Sequence, residues 1–230
     1  MKRFLFLILS VFPIISCGSK QSPVNPSGNP FVLGGAGIFA TAIEWPGINE
    51  MSAGIVDQNA QPVTNAAVTL SYPGGSSPLT LIPNEATTLA FTYSGGITVI
   101  PCASYITQNG YWPYVANQPY TFTAIFGGNT YTAWGTTSGN VNFSSGSGAL
   151  TCTWMGSGSQ NSLTATNGAV TTVFGPSLTS PYILLNSSLP QYTPGSYTLN
   201  LNIGMDLLGC FPGASPHSFF DIDYVTTTTY

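Results

Sequence analysis

Positive charge is almost absent from this sequence. Its 230 residues include three Lys or Arg, namely Lys2, Arg3 and Lys20, and a single histidine. Proteins that bind nucleic acids, nucleotides or acidic polymers neutralise phosphates and carboxylates with basic side chains. From residue 21 onward the chain has no Lys or Arg, which excludes such a basic patch and argues against nucleic acid as a partner.

Charge of either sign is scarce. Charged residues make up 4% of the chain, whereas about a quarter of an average globular protein is charged. Low charge can accompany disorder, but 43% of the residues are hydrophobic, and Val, Ile, Leu, Tyr and Phe bury apolar area well. The chain is therefore expected to fold, with Ser, Thr, Asn, Gln and Gly keeping its surface soluble.

The apolar stretch near the start is too short to span a bilayer. Residues 4–15 would measure roughly 18 Å as a helix, against about 30 Å for the hydrocarbon core of a membrane. Lys2 and Arg3 precede this stretch, as in the basic region of an export signal. Residues 1–16 are therefore predicted to be a signal peptide.

Ile14-Ile15-Ser16-Cys17 ends this segment and resembles the lipobox of bacterial lipoproteins. The resemblance implies cleavage before Cys17, a diacylglycerol group on its sulfur and an N-acyl chain on its amino group. Two or more acyl chains anchor a protein stably to a bilayer. Gly18, in place of Asp, follows this cysteine, which resembles lipoproteins forwarded to the outer membrane in cells with two membranes. An ordinary secretory signal followed by a chance cysteine is the alternative.

Losing the signal peptide would also remove Lys2 and Arg3, which lowers the net charge from −4 to −6. Residues 17–30 then begin the mature chain with Ser, Gln, Asn, Gly and three prolines, a composition typical of a flexible tether. The lipid would hold this tether to the envelope, and the tether would carry the folded part.

From residue 31 onward, short Thr-, Tyr- and Val-rich segments alternate with Gly, Pro and Asn, without a 3.6-residue period. This pattern predicts an all-β fold of antiparallel β-sandwiches, Ig-like or prealbumin-like. Two domains are predicted, at 31–138 and 139–230, because about 200 residues are generous for one sandwich; a single domain is the alternative. The Gly- and Ser-rich segment near residue 138 marks the boundary.

Several strands can be assigned from their alternation. Residues 120–126 and 197–203 each place apolar and polar side chains on opposite faces, and a Gly-Gly-Asn turn after the first predicts a hairpin. Asn167 and Gly168 suit the two central positions of a type I′ turn and predict a second hairpin. Residues 219–225 alternate in the same way.

The segment "AGIVDQNAQPVTNAAVTLSYPG" resembles carboxypeptidase regulatory-like and related Ig-like modules of bacterial surface proteins. Residues 54–57 match the first strand of the pattern, residues 58–61 the turn and residues 62–70 the return strand. Ala60 stands where the pattern usually has glycine. "YTPGSYTLNL" resembles the strand that often closes such modules, although it lies far downstream. The resemblance implies a β-sandwich and says little about a ligand.

Three cysteines follow Cys17, an odd number that argues against a disulfide framework. Cys152 shares a predicted strand face with Leu150 and Trp154, which indicates a buried thiol. Cys102 and Cys210 lie beside proline and glycine in stretches that look like loops. A bridge between these two is left open.

No motif in the chain predicts a catalytic centre. Gly35, Gly37 and Ala40, with Asp57 further on, superficially match a dinucleotide fingerprint, but the residues that follow have no helical period. A single histidine, His217, excludes a two-histidine zinc site. Ser218 and Asp221 lie near it, yet the chain has no nucleophile-elbow motif. The protein is therefore predicted not to be an enzyme and to use no cofactor.

Two groups are candidate binding residues. Asp221 and Asp223 project from one side of a predicted strand and could bind a hard cation such as calcium, or form its solvent face. The same pair would need a cleft to act as glycosidase carboxylates. Tyr111, Trp112 and Tyr114 lie among amides in "NGYWPYVANQPY", a mixture that suits a neutral saccharide.

The sequence thus predicts a lipid-anchored protein of the bacterial cell envelope, in the outer membrane if the cell has two. Its role would be non-catalytic binding, adhesion or structural support. A carbohydrate-binding module is the first alternative, and an envelope hydrolase is the second. The expected partners are the membrane, through the lipid on Cys17, and a protein or a glycan.

Overall fold

Fifteen β-strands and one turn of 3-10 helix form the regular structure of the described chain. The structure is a computed structural model that describes residues 33–46, 48–75, 79–84, 87–93, 96–107, 111–156, 158, 160–168 and 170–230. The predicted all-β class is confirmed, with strand orders consistent with β-sandwich packing. Within these ranges, no helix has the length and apolar character needed to cross a membrane.

The first eight strands form the N-terminal half. They are β1 (Gly37–Trp45), β2 (Ile48–Val56), β3 (Ala67–Ser71), β4 (Leu79–Pro83), β5 (Thr87–Tyr93), β6 (Gly96–Thr107), β7 (Pro119–Phe126) and β8 (Asn129–Thr136). They pair in the orders β1-β2-β6-β5 and β4-β3-β7-β8. These are the two strand orders of an immunoglobulin-type sandwich with one added edge strand. The end of β6 also pairs with β4.

The last seven strands form the C-terminal half and repeat this arrangement. They are β9 (Gly139–Gly146), β10 (Ala149–Met155), β11 (Gln160–Asn167), β12 (Val170–Phe174), β13 (Tyr182–Leu185), β14 (Thr198–Leu208) and β15 (Phe219–Thr229). The 3-10 turn, Asn186–Ser188, follows β13. The orders β9-β10-β13 and β12-β11-β14-β15 correspond to those of the N-terminal half, without a counterpart of β5 among the described residues.

A parallel pairing between β1 and β15 joins the two halves. Residues 39–44 pair with residues 219–224, and β15 pairs with β14 on its other side. One sheet therefore continues from the C-terminal half into the N-terminal half. Residue 138 lies between β8 and β9. The division into two domains stays a prediction, because β15 pairs with β1 of the N-terminal half and Leu207 of β14 packs against the N-terminal core.

Alternating apolar side chains build two main cores. The N-terminal core includes Trp112, Tyr120 and Phe122, and the C-terminal core includes Leu163 and Leu201. All five side chains are fully buried. Each core lies between the strand paths of its own half, as expected for a sandwich.

The connection between β14 and β15 reaches from the C-terminal half into the N-terminal core. Phe211, in this connection, is 2% exposed, and its ring meets that of Phe122 edge to face at a centroid distance of 5.7 Å. Phe220 and Ile222, at the start of β15, belong to the same core. The C-terminal half thereby supplies part of the interior of the N-terminal half.

The predicted strand faces and hairpins are largely confirmed. Tyr120, Phe122 and Ala124 are buried in β7, and Gly127 and Gly128 form the turn to β8 with φ of +57° and +77°. Glycine adopts such left-handed angles without steric cost. The hairpin faces predicted from the sequence are therefore correct.

The hairpin between β11 and β12 also forms, but its turn lies one residue later than predicted. Asn167 pairs with Val170 and belongs to the strand. Gly168, with φ of +52°, is therefore the first turn residue rather than the second. Glycine accepts a left-handed conformation more readily than asparagine does, which favours this register.

Candidate functional surface

Cys17, the signal peptide 1–16 and the tether 17–30 lie outside the described residues. The described body begins at Leu33, which is buried beside Phe39 and Val56 in a small apolar cluster. The lipid site therefore stays a prediction from the sequence.

Trp112 lies in the core and not on the surface. Its side chain is fully buried, and its indole Nε1–H donates a hydrogen bond to the carbonyl oxygen of Ile43 at 3.0 Å. Its backbone N–H donates to Oδ1 of Asn49 at 2.9 Å. The expectation that Trp112 offers an exposed face to a saccharide is corrected by this burial, because the loop covers the end of the N-terminal core.

Tyr114 is also used internally. Its ring stacks on that of Tyr224 at 5.4 Å, and its hydroxyl donates to the carbonyl oxygen of Ser138. Burial raises the pKa of Tyr114 well above its ordinary value. Only Tyr111 among the three predicted contacts is mainly exposed, at 60%, so the three rings do not form one platform.

Asp221 and Asp223 lie in β15, which is a central strand between β14 and β1. Asp223 is paired with Gly204, and its Oδ1 lies 2.6 Å from the point where a Cβ on Gly204 would stand. Glycine at this position therefore leaves room for the carboxylate. Of the residues that the structure describes, no three His, Cys, Asp or Glu are grouped so that they could hold a metal ion.

Ser218 is committed to the backbone rather than available as a nucleophile. Its Oγ accepts a hydrogen bond from the N–H of Ile38 at 3.1 Å and donates one to the carbonyl oxygen of Ala36 at 3.4 Å. Burial lowers the pKa of the neighbouring His217. The two hydrogen bonds of Ser218 link the start of β15 to the start of β1.

The glycines of "GGAGIFA" serve packing. Gly37 begins β1, so a strand follows where a dinucleotide site would need a helix. A Cβ on Gly37 would lie 2.7 Å from the ring of Phe39 and 2.8 Å from Val56. The close packing of these side chains explains the glycine without a phosphate.

No disulfide joins the three described cysteines, so the bridge between Cys102 and Cys210 that the sequence left open does not form. Cys152 is fully buried, as predicted, and burial raises its pKa to about 11. Cys102 is equally buried, with its pKa raised to about 11 for the same reason. It lies within β6, so its assignment to a loop is wrong, whereas Cys210 does lie in the connection after β14.

A pair of equivalent tyrosines escaped the sequence analysis. The hydroxyl of Tyr120 donates to the carbonyl oxygen of Pro113, and that of Tyr197 donates to the carbonyl oxygen of Pro190. Tyr120 lies near the start of β7, and Tyr197 directly precedes β14. Each tyrosine follows its proline by seven residues. This is the arrangement called a tyrosine corner in Ig-like sandwiches. The spacing Pro-x6-Tyr-Thr, present twice in the sequence, is the signal that could have identified it.

The aromatic side chain with the greatest exposed fraction in the described ranges lies elsewhere, on the outward face of the path β4-β3-β7-β8. Trp134 in β8 is 74% exposed, more than any other large apolar side chain in the described ranges. Directly across from it in β7 is Thr121, which pairs in turn with Ser71 in β3. Thr132 and Thr136 flank Trp134 along its own strand, since alternate residues share a face.

A row of four threonines crosses the same face next to Trp134. Thr80, Thr69, Thr123 and Thr132 are paired in register across β4, β3, β7 and β8. The hydroxyls of Thr123 and Thr132 lie 3.5 Å apart. The sequences of these four strands contain no charged residue. We call Trp134 and these threonines, with Thr121 and Thr136, the Trp134 face.

A shallow depression lies on another face, over β1, β2 and β6. Its volume is about 90 Å³, and Ser52, Gly54 and Ser104 are among its lining residues, with Phe39 and Phe219. Pockets that enclose small molecules usually measure several hundred Å³. This depression is therefore too small to enclose a drug-sized ligand.

Comparison of the chain with protein-family models, with curated proteins and with solved structures finds no significant match.

Proposed function

We propose that this protein is a lipid-anchored component of the bacterial cell envelope that acts by binding, adhesion or structural support, without catalysis. The observation that carries this proposal is the position of Cys17, directly after Ile14-Ile15-Ser16 and an apolar segment with a basic start. In a cell with two membranes, the outer membrane is the proposed location, because Gly18 follows the cysteine.

The arrangement of the two halves supports a display role. A shared sheet and the buried contact of Phe211 with Phe122 join the halves, so the faces and loops keep fixed relative positions. The tether would separate this body from the lipid by up to roughly 40 Å if fully extended. A rigid body on a tether presents its surface to a partner without inserting into the bilayer.

The chemistry of the candidate residues favours binding over hydrolysis. Ser218 Oγ is occupied by the backbone of Ile38 and Ala36, and Asp221 lies in a central strand. Hydrolysis of a glycan or an ester by the purified protein, lost in Asp221→Asn or His217→Ala, would contradict the non-catalytic role.

Fractionation of expressing cells tests the anchor. The wild-type protein should sediment with membranes, and Cys17→Ser should move into the soluble fraction. Cys210→Ser is the matched control, because it replaces a cysteine of the connection between β14 and β15 and leaves Cys17 unchanged, and this variant should stay with the membranes. Retention of Cys17→Ser in the membrane fraction would overturn the proposal.

A further inference from the structure

We infer that the Trp134 face binds a neutral saccharide, with the indole of Trp134 as the stacking platform and threonine hydroxyls as hydrogen-bond partners. The inference rests on the proposed display role and deepens it by naming a class of partner. It also moves the saccharide-binding surface away from Trp112, which is buried.

The exposure of Trp134 is the first argument. Tryptophan is highly buried on average, yet 74% of this side chain faces solvent. Its strand neighbours Ala133 and Gly135 point inward and are buried, so the strand itself is well packed. The exposed indole therefore contributes little to the core and is free to contact a ligand.

The surroundings of the indole are the second argument. Thr121 lies directly across the strand pair, where Cβ atoms are about 5 Å apart. Thr132 and Thr136 lie about 7 Å away along the strand. A threonine hydroxyl both donates and accepts hydrogen bonds, as the hydroxyls of a sugar do. A sugar ring stacked on Trp134 would therefore have hydroxyl partners on three sides.

The absence of charge on β3, β4, β7 and β8 is the third argument and selects the ligand class. An anionic or cationic ligand would find no counter-charge on these strands, whereas a neutral polyol needs no counter-charge to bind. A protein partner would favour an apolar centre around the tryptophan. Here hydroxyl side chains flank the indole, which fits a polyol better.

Binding of neutral hexasaccharides to the full-length protein in detergent tests the inference. The probes are cellohexaose, laminarihexaose, maltohexaose, mannohexaose and hexa-N-acetylchitohexaose, with polygalacturonate as the anionic comparison. At least one neutral probe should bind in titration calorimetry and shift the tryptophan emission to shorter wavelength. Binding of polygalacturonate alone, or of none of the probes at millimolar concentration, would overturn the inference.

The variants separate the Trp134 face from the rest of the molecule. Trp134→Ala should weaken binding by about tenfold or more, and Trp134→Phe should retain part of the affinity because a smaller ring still stacks. Trp45→Ala is the matched control, since Trp45 is also exposed, at 46%, but lies at the end of β1. Unchanged thermal unfolding of Trp134→Ala would show that the loss is not a folding defect.

Two further outcomes count against the inference. Saccharide binding that survives in Trp134→Ala would place the site elsewhere. Self-association of the wild-type protein that is lost in Trp134→Ala, measured by sedimentation velocity without any saccharide effect, would assign the face to a second copy of the chain. Neither result depends on Cys17, so the anchor and the saccharide site can fail separately.

Discussion

The ring of Phe211, which follows β14 in the C-terminal half, packs edge to face against the ring of Phe122 in β7 of the N-terminal half, at 5.7 Å. The two residues are 89 positions apart in the chain. Both side chains are buried in one core. This contact makes the connection between β14 and β15 a structural part of the N-terminal half.

Phe211→Ala should therefore destabilise the N-terminal half, although residue 211 belongs to the other half in sequence. Truncating a buried phenylalanine costs about 3–5 kcal/mol. Urea unfolding followed by fluorescence in a Trp154→Phe background would report on the N-terminal half alone, because the remaining tryptophans, Trp45, Trp112 and Trp134, all lie there. Leu208→Ala, at an exposed position of the same hairpin, should cost little. Equal effects of the two variants would contradict the role of Phe211.

The tyrosine corners predict a loss of stability in each half. Tyr120→Phe and Tyr197→Phe keep the buried ring but remove the hydrogen bond to the carbonyl oxygen of Pro113 or Pro190. Tyr120→Phe also removes the hydrogen bond that its hydroxyl accepts from the N–H of Val115 at 2.8 Å. Each should lower the free energy of unfolding by about 1–2 kcal/mol. Tyr111→Phe is the control, because this side chain is 60% exposed and should be neutral. An unchanged free energy of unfolding in Tyr197→Phe would contradict a stabilising role for the tyrosine corner of the C-terminal half.

Ala60 offers a stabilising change. Its φ is +59°, a left-handed conformation that costs a residue with a Cβ about 1–2 kcal/mol. Ala60→Gly should therefore raise the free energy of unfolding by about 0.5–1 kcal/mol, after allowance for the greater freedom of glycine in the unfolded chain. Thermal unfolding would measure the gain. The same change at Ala67, in β3, should destabilise, and a loss of stability at both positions would contradict the prediction.

His217 predicts a pH dependence. Burial lowers its pKa in the folded protein, so below about pH 6.5, the ordinary histidine value, the unfolded chain binds more protons. Stability should be fully present above this pH and decrease as the pH falls through it. His217 is the only histidine. The urea concentration at the midpoint of unfolding should therefore change less in His217→Asn than in the wild type between about pH 7.5 and 5.5. If the urea midpoint of the variant depended on pH as strongly as that of the wild type, the pH dependence would come from another group.

The alternation of apolar residues was sufficient to predict much of the fold. It gave the all-β class, the inward faces of β7 and β14, and the hairpins after β7 and β11. The turn after β11 was misplaced by one residue, because local propensity did not determine which pairing the two strands would adopt. The parallel pairing of β1 with β15 left no local signal, since it joins segments about 180 residues apart.

The aromatic residues show why the candidate surface was harder to predict. Trp112 lies in a loop, and its burial depends on Ile43 and Asn49, more than 60 residues away. Trp134 alternates with buried Tyr131 and Ala133, but alternation alone does not say which face is covered by the second sheet. Long-range packing decided both outcomes.

The N-terminal tryptic peptide of the protein extracted from membranes tests the proposed anchor most directly. From residue 21 onward the chain has no Lys or Arg, so trypsin should release a tetrapeptide, residues 17–20, from an otherwise uncleaved chain. Mass spectrometry should find this peptide with a diacylglycerol group on the Cys17 sulfur and an N-acyl chain. A peptide that contains unmodified Cys17, or a mature chain that begins at another residue, would contradict the account.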